Sequence, residues 1–255
     1  MKKFLLGLTV LLTVVAASSQ AFAYFEAGQL ILSVYNETDM DLGVDLGNAM
    51  ALSQTTDTNV VLATAGTISL DKFGDNVDSW SDLSAGAYGG IQNLYQIYEG
   101  MTDTVAPPVP VSQISNFMNG VLMTSSEYGR RNNGEQYAVM NSSNSNSYDI
   151  RLNSNSNAPG TFGGINIDGS TNKSEANLGL LDTVGYVDLY LYAFDAMADM
   201  AGLSGGAEPN AVIRIMADGS VVLNATDAPE VPIPGSLILL SSGLLGMIGI
   251  RRKNA

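Results

Sequence analysis

The 255-residue chain predicts a mainly β domain, an antiparallel β-sandwich or jelly roll with one or two short helices, set between two apolar terminal segments. Three observations predict it. Short β-prone runs alternate polar and apolar residues with period two, turn dipeptides and Gly-rich stretches separate them, and one stretch after a proline run carries a clean helical period. The body between the terminal segments, residues 24–227, is long enough for one domain with a substantial core.

The first strand is Gln29-Leu30-Ile31-Leu32-Ser33-Val34-Tyr35, closed by the turn residues Asn36 to Asp39. From Asp41 to Gly47 polar and apolar residues alternate, which places Leu42, Val44 and Leu46 on one face. Val60–Ala63 and Thr67–Leu70 read as two further strands of a meander. Tyr88, Tyr95 and Tyr98 flank Ile91, Leu94 and Ile97 at spacings of three and four, which predicts a helix with one buried face. The run Val105 to Pro110 excludes helix and reads as an extended connector. After it Ser112 caps a helix with Ile114, Phe117, Met118, Val121 and Leu122 on one stripe, ending near Tyr128-Gly129.

Residues 141–157 are rich in Asn and Ser and predict loop, with Tyr148, Ile150 and Leu152 alternating as a short strand inside it. Ile165 and Ile167 lead to an Asp168-Gly169 turn. Tyr186–Phe194 alternates most strongly of all, with Val187, Leu189, Leu191 and Ala193 on one face and Tyr186, Asp188, Tyr190 and Tyr192 on the other. Past a Gly-rich loop at 202–206, Val212–Met216 and Val221–Leu223 bracket Asp218-Gly219 and predict a tight hairpin.

Composition restricts the chemistry. The chain has no Cys, so an exported body has no disulfide framework, and no His, which removes the commonest general base, the Ser-His and Cys-His pairs and the imidazole ligands of catalytic zinc. All 25 acidic residues lie between Glu26 and Glu230, against 6 basic ones there, so the body carries about −19 of charge and repels nucleic acid and anionic lipid. Asp71, Asp75, Asn76 and Asp78 crowd together, and two readings stay open. Oxygen ligands at short spacing suit calcium, the one cofactor considered, whereas the missing D-x-D-x-D-G spacing suits a solvated acidic loop. No catalytic constellation is assigned; Asp195 and Asp199 lie one helical turn apart without further support.

At the N-terminus Lys2 and Lys3 precede an apolar run, Phe4 to Ala17, and the sequence Ala21-Phe22-Ala23. This describes a secretory signal peptide, residues 1–23, cut between Ala23 and Tyr24, and it implies the Sec translocon and signal peptidase as partners. The other end, residues 228–255, runs Val231-Pro232-Ile233-Pro234-Gly235, then an uncharged stretch at 236–250, then Arg251-Arg252-Lys253. A fifteen-residue helix rises about 22 Å, short of a hydrocarbon core of about 30 Å, and spans it with snorkelling basic residues or local thinning. The three cations place the C-terminus in the cytoplasm.

The order of proline element, transmembrane helix and basic tail resembles the PEP-CTERM sorting signal of Gram-negative bacteria, in a VPxPG-type variant with Ile233 where the commonest form has Glu. The segments Gly28-Gln29-Leu30-Ile31-Leu32, Val44-Asp45-Leu46-Gly47, Val187–Tyr192 and Ala217–Val222 are also similar to the bodies of PEP-CTERM proteins. The resemblance implies an exosortase as partner, transient anchoring in the inner membrane, and final placement at the cell surface or in the medium. It further implies a non-enzymatic structural protein of the extracellular matrix, linked to exopolysaccharide and biofilm. A carbohydrate- or calcium-binding module is the alternative, and a carboxylate-based polysaccharide hydrolase the second.

Overall fold

The computed structural model describes residues 24–36, 38–94, 96–102, 104, 111–152, 175–195 and 208–226. Both terminal segments, residues 1–23, predicted to be a signal peptide, and residues 228–255, lie outside them. The described chain is mainly antiparallel β. Strands β1 (Gln29–Tyr35), β2 (Met40–Asn48), β3 (Val60–Ala63), β4 (Ser84–Ile91), β5 (Gln96–Met101), β6 (Tyr137–Asn141), β8 (Tyr186–Asp195), β9 (Ala211–Met216) and β10 (Val221–Leu223) form one path. Its spatial order is β3-β10-β9-β8-β5-β4-β1-β2-β6, with the two-residue β7 (Ala176–Asn177) paired to β4. Helices are few: α1 (Ala49–Gln54), the 21-residue α2 (Val111–Arg131), and the single turns α3 (Tyr148–Arg151) and α4 (Leu180–Thr183). Among the described residues no helix is long and apolar enough to cross a membrane.

Instead of two stacked sheets, one sheet curls on itself. Leu30, Ile31 and Leu32 are consecutive and all fully buried, so β1 is covered on both faces. The concave face packs Leu30, Leu32, Leu42, Val44, Leu189, Ile213 and Val221 into one core. The convex face packs Ile31, Tyr35, Tyr88, Ile97 and Tyr192 with Phe117, Met118 and Val121 of α2. The second layer that a sandwich would supply with strands is therefore a helix, which buries Phe117, Met118 and Val121 of the predicted stripe and leaves Leu122 half-buried, the Ile114 side chain lying outside what is described.

The curl brings β3, at one end of the strand order, beside β2, near the other. Gln136 fixes this closure, its Nε2 donating to the Asp45 carbonyl at 2.7 Å and to the Leu62 carbonyl at 2.6 Å. The one amide group thus holds strands seven places apart in the path. Gln136→Ala is expected to lower unfolding free energy by about 1–2 kcal/mol, read as a lower urea midpoint, because two part-buried carbonyls lose their donor.

Three segments depart from the sequence expectation. Tyr88 to Tyr98 forms the β4–β5 hairpin with a 3-10 turn at Gln92–Leu94, not a helix. Tyr88 faces the convex core and Tyr98 the concave one, and Gly86, Gly89 and Gly90 disfavour helix. Thr67–Leu70 is no strand: Ile68 N–H donates to the Gly219 carbonyl at 3.1 Å and Gly66 N–H to Asp218 at 2.8 Å, so this stretch covers the β9–β10 turn. Tyr148–Leu152 is a helical turn, started by Ser147 Oγ accepting from Ile150 N–H at 3.2 Å. The Asp218-Gly219 hairpin forms as expected, with Gly219 at φ 78° and no room for a Cβ, which would sit 1.8 Å from the Ile68 oxygen.

Candidate functional site

The convex face carries a polar cluster that begins with a row of small residues. Ser33 pairs with Gly43 of β2 on one side and with Gly86 of β4 on the other, so Gly43, Ser33 and Gly86 lie side by side across three strands. Two tyrosines use the space that the glycines leave. A Cβ on Gly43 would stand 2.5 Å from the Tyr128 ring, and one on Gly86 would stand 2.1 Å from the Tyr148 hydroxyl. Tyr128 comes from α2 and Tyr148 from α3, so this row is where both helices seat.

Asp41 holds them there. Its Oδ1 accepts from the Tyr128 hydroxyl at 2.5 Å and its Oδ2 from the Tyr148 backbone N–H at 2.6 Å. Ser33 Oγ links the Tyr128 and Tyr88 hydroxyls at 2.9 and 3.0 Å. Glu175 accepts from the Tyr35 and Tyr148 hydroxyls at 2.9 and 2.8 Å, and the Tyr148 ring lies 5.2 Å from the rings of both Tyr35 and Tyr88. Complete burial pushes the Asp41 carboxyl up to about 7, against the opposing effect of its two donors, with Asp149 nearby adding to the rise. Burial likewise pushes Tyr88, Tyr128 and Tyr148 well above the usual phenol range, so they stay neutral donors. At the end of α2 the hydrogen bond from Arg130, with help from Arg131, holds Glu127 down to about 2. Asp41 can hold a proton, but it is fully buried and both of its oxygens are engaged within the fold.

A groove of about 430 Å³ opens at the edge of this cluster, lined by Glu175, Asn177, Leu180, Tyr186, Asp188 and Tyr190 among others. The outward residues of β8 form one wall, as their alternation predicts. Arg214, opposite Asp188 in the β8–β9 register, donates from Nε at 2.7 Å and from a terminal nitrogen at 2.8 Å to the two carboxylate oxygens of Asp188. The same guanidinium lies 4.0 Å over the Tyr186 ring centroid. The pair is largely buried, so its geometry is fixed by packing as well as by charge.

The residues singled out from the sequence fall elsewhere. Asp71 lies in a 3-10 turn at Leu70–Phe73; Asn76 donates to Asp39 at 3.0 Å; and the backbone N–H of Asp78, like that of Ser79, donates to Asp82, which reaches back from the turn at Trp80–Asp82 to its N-cap Ser79. Among the described residues no three acidic side chains are grouped to hold a metal ion. Trp80, Tyr88 and Tyr98 are core residues. Ala21, Ala23 and the residues of the predicted sorting signal, Val231 to Gly235 with Arg251, Arg252 and Lys253, lie outside the described residues, as do Asp168-Gly169 and Asp199. Tyr24, on the far side of the predicted cut, is half-buried against the convex core. Phe25 after it is buried, its ring 5.4 Å from Tyr128 and its N–H donated to Asp45.

Sequence reasoning missed the tyrosine–carboxylate cluster. Its trace is period-two placement: Tyr35, Asp41, Gly43, Gly86 and Tyr88 all fall on outward positions of β1, β2 and β4. The fold and this cluster define a curled antiparallel β domain with a helix-covered convex face. No family model, curated protein or solved structure shows a match to the chain.

Proposed function

We propose that the protein is an exported, exosortase-sorted component of the cell surface or extracellular matrix, non-enzymatic and associated with exopolysaccharide. The observation that carries this reading is the C-terminal order Val231–Gly235, apolar 236–250, Arg251–Lys253, paired with the N-terminal signal ending at Ala23. A non-enzymatic role is supported by the lack of His and Cys. It is supported too by the way Asp41 is engaged by Tyr128 and the Tyr148 backbone at a fully buried position. The acidic body suits an exported, soluble domain. A carbohydrate-binding module is the second reading, favoured by the groove beside β8.

The sorting reading is tested by replacing Pro232 and Pro234 with Ala and fractionating the producing cells. The wild-type chain is expected at the surface and in the medium, and the variant is expected to accumulate in the inner membrane. An unchanged distribution overturns the reading.

A further inference from the structure

We infer that the groove beside β8 binds a short neutral saccharide chain, with Tyr186 and Tyr190 as its aromatic surfaces and Asp188 as the hydrogen-bond acceptor between them. The inference deepens the matrix reading by giving the body a ligand class and a place to hold it.

Tyr186, Asp188 and Tyr190 follow one another at period two on the outward face of a regular strand, so the Cα atoms of the two tyrosines stand about 13 Å apart with that of Asp188 midway. That span exceeds a single sugar ring and fits a chain of a few units. The site is organised in advance. Arg214 lies over one face of the Tyr186 ring, which also lines the groove, and its forked contact fixes Asp188 while leaving each carboxylate oxygen a further lone pair for a ligand hydroxyl.

The lining selects among ligand classes. It contains Glu175 and Asp188 and no Lys or Arg, and the body is strongly acidic, which disfavours phosphates, uronates and nucleic acid. The carboxylate, amide and hydroxyl groups interleaved with the rings disfavour a purely apolar ligand. With no third acidic side chain grouped there among the described residues, a metal ion is poorly served. A neutral molecule with apolar C–H faces and a rim of hydroxyls satisfies rings and polar groups together. A cationic peptide is the competing ligand, and the experiment separates the two.

The full-length chain in detergent is titrated calorimetrically with short neutral oligomers of glucose, galactose, mannose, xylose and N-acetylglucosamine, with polygalacturonate, and with oligolysine. At least one neutral oligomer is expected to bind and to raise the unfolding temperature. Tyr186→Ala and Tyr190→Ala are each expected to weaken it about tenfold or more, whereas Tyr190→Phe stays within about threefold of wild type. Leu180→Arg provides a variant that leaves the core alone, since Leu180 is 53% exposed, and it is expected to obstruct the groove with a similar loss. The inference is overturned if no neutral oligomer binds, if oligolysine or polygalacturonate binds more tightly than all of them, or if binding survives the Leu180 and tyrosine-to-alanine substitutions undiminished. Failure here leaves the sorting reading standing, because that is decided by fractionation of cells and not by ligand.

Discussion

Asp41→Asn is expected to remove most of the pH dependence of folding stability between about pH 5 and pH 8. Asp41 lies at the centre of the convex face with its carboxyl raised from 3.8 to about 7. The folded state therefore holds a proton that the unfolded chain releases at lower pH. The stabilisation is complete below about pH 4 and is lost as pH rises through 7, on the order of 2–3 kcal/mol over the upper part of that window. Asp45 is raised as well, chiefly by burial, and acts in the same direction. Glu127, held near 2 by Arg130, acts in the opposite direction only below its ordinary value of 4.5, outside this window.

The groups that face Asp41 are Tyr128 from α2, the Tyr148 backbone with Asp149 from α3, and Tyr88 from β4, and the tyrosines remain neutral throughout. Asn reproduces the protonated carboxyl. Its carbonyl oxygen can accept from the Tyr148 N–H while its amide donates to the Tyr128 oxygen, whose proton then turns to Ser33. Urea unfolding across pH is expected to show wild-type stability falling toward pH 8 and the variant nearly flat. At pH 8 the variant should unfold at the higher urea concentration.

Gly43→Ala is expected to destabilise the fold by about 3 kcal/mol or more, with Gly86→Ala close behind. The added methyl at 43 would stand 2.5–2.6 Å from three carbons of the Tyr128 ring. That ring cannot retreat freely, because Phe25 packs against it at a tilt, centroids 5.4 Å apart, and its hydroxyl is tied to Asp41 and Ser33. Moving it forfeits ring burial worth about 2 kcal/mol and leaves Asp41 Oδ1 without its Tyr128 donor, a further 1–3 kcal/mol. The measurement is a double-mutant cycle with Tyr128→Ala. With the ring removed, Gly43→Ala is expected to cost under about 1 kcal/mol, so the two changes should be strongly non-additive. Additive costs would mean that Gly43 does not serve as the seat of Tyr128.

These two experiments concern a cluster that a linear reading could hardly assemble. Tyr128 is 87 residues from Asp41 in the chain, and Glu175 is 140 from Tyr35. No local period records such distances; only the sheet register brings Gly43, Ser33 and Gly86 into one row. Where a signal is local, it is legible. The alternation of β8 places Val187, Leu189 and Leu191 inside and the groove-lining tyrosines outside, and Asp218-Gly219 turns the hairpin where its φ requirement says it must.

The stripe of α2 likewise names Phe117, Met118 and Val121, which the helix buries, although Leu122 is only half-buried. The Tyr88–Tyr98 segment misleads because aromatics at spacings of three and four also fit two strands joined by a turn, with one tyrosine in each core. Tyr148–Leu152 misleads because its alternation is overridden by the Ser147 cap and by the Tyr148 N–H bond to Asp41. The β-sandwich expectation captures the antiparallel packing. It misses the single curled sheet because the closing contact comes from one side chain, Gln136, in a loop.

The central claim is that the chain is exported and sorted through its C-terminal tag. The most direct test is the intact mass of the mature protein, recovered from cells and medium of a producing strain and of the same strain lacking its exosortase. The account predicts a product beginning at Tyr24 in both strains, with the segment after Pro234 lost only where the exosortase is present. A product that keeps residues 236–255 in both strains would contradict it and would make the protein an ordinary C-terminally anchored periplasmic domain.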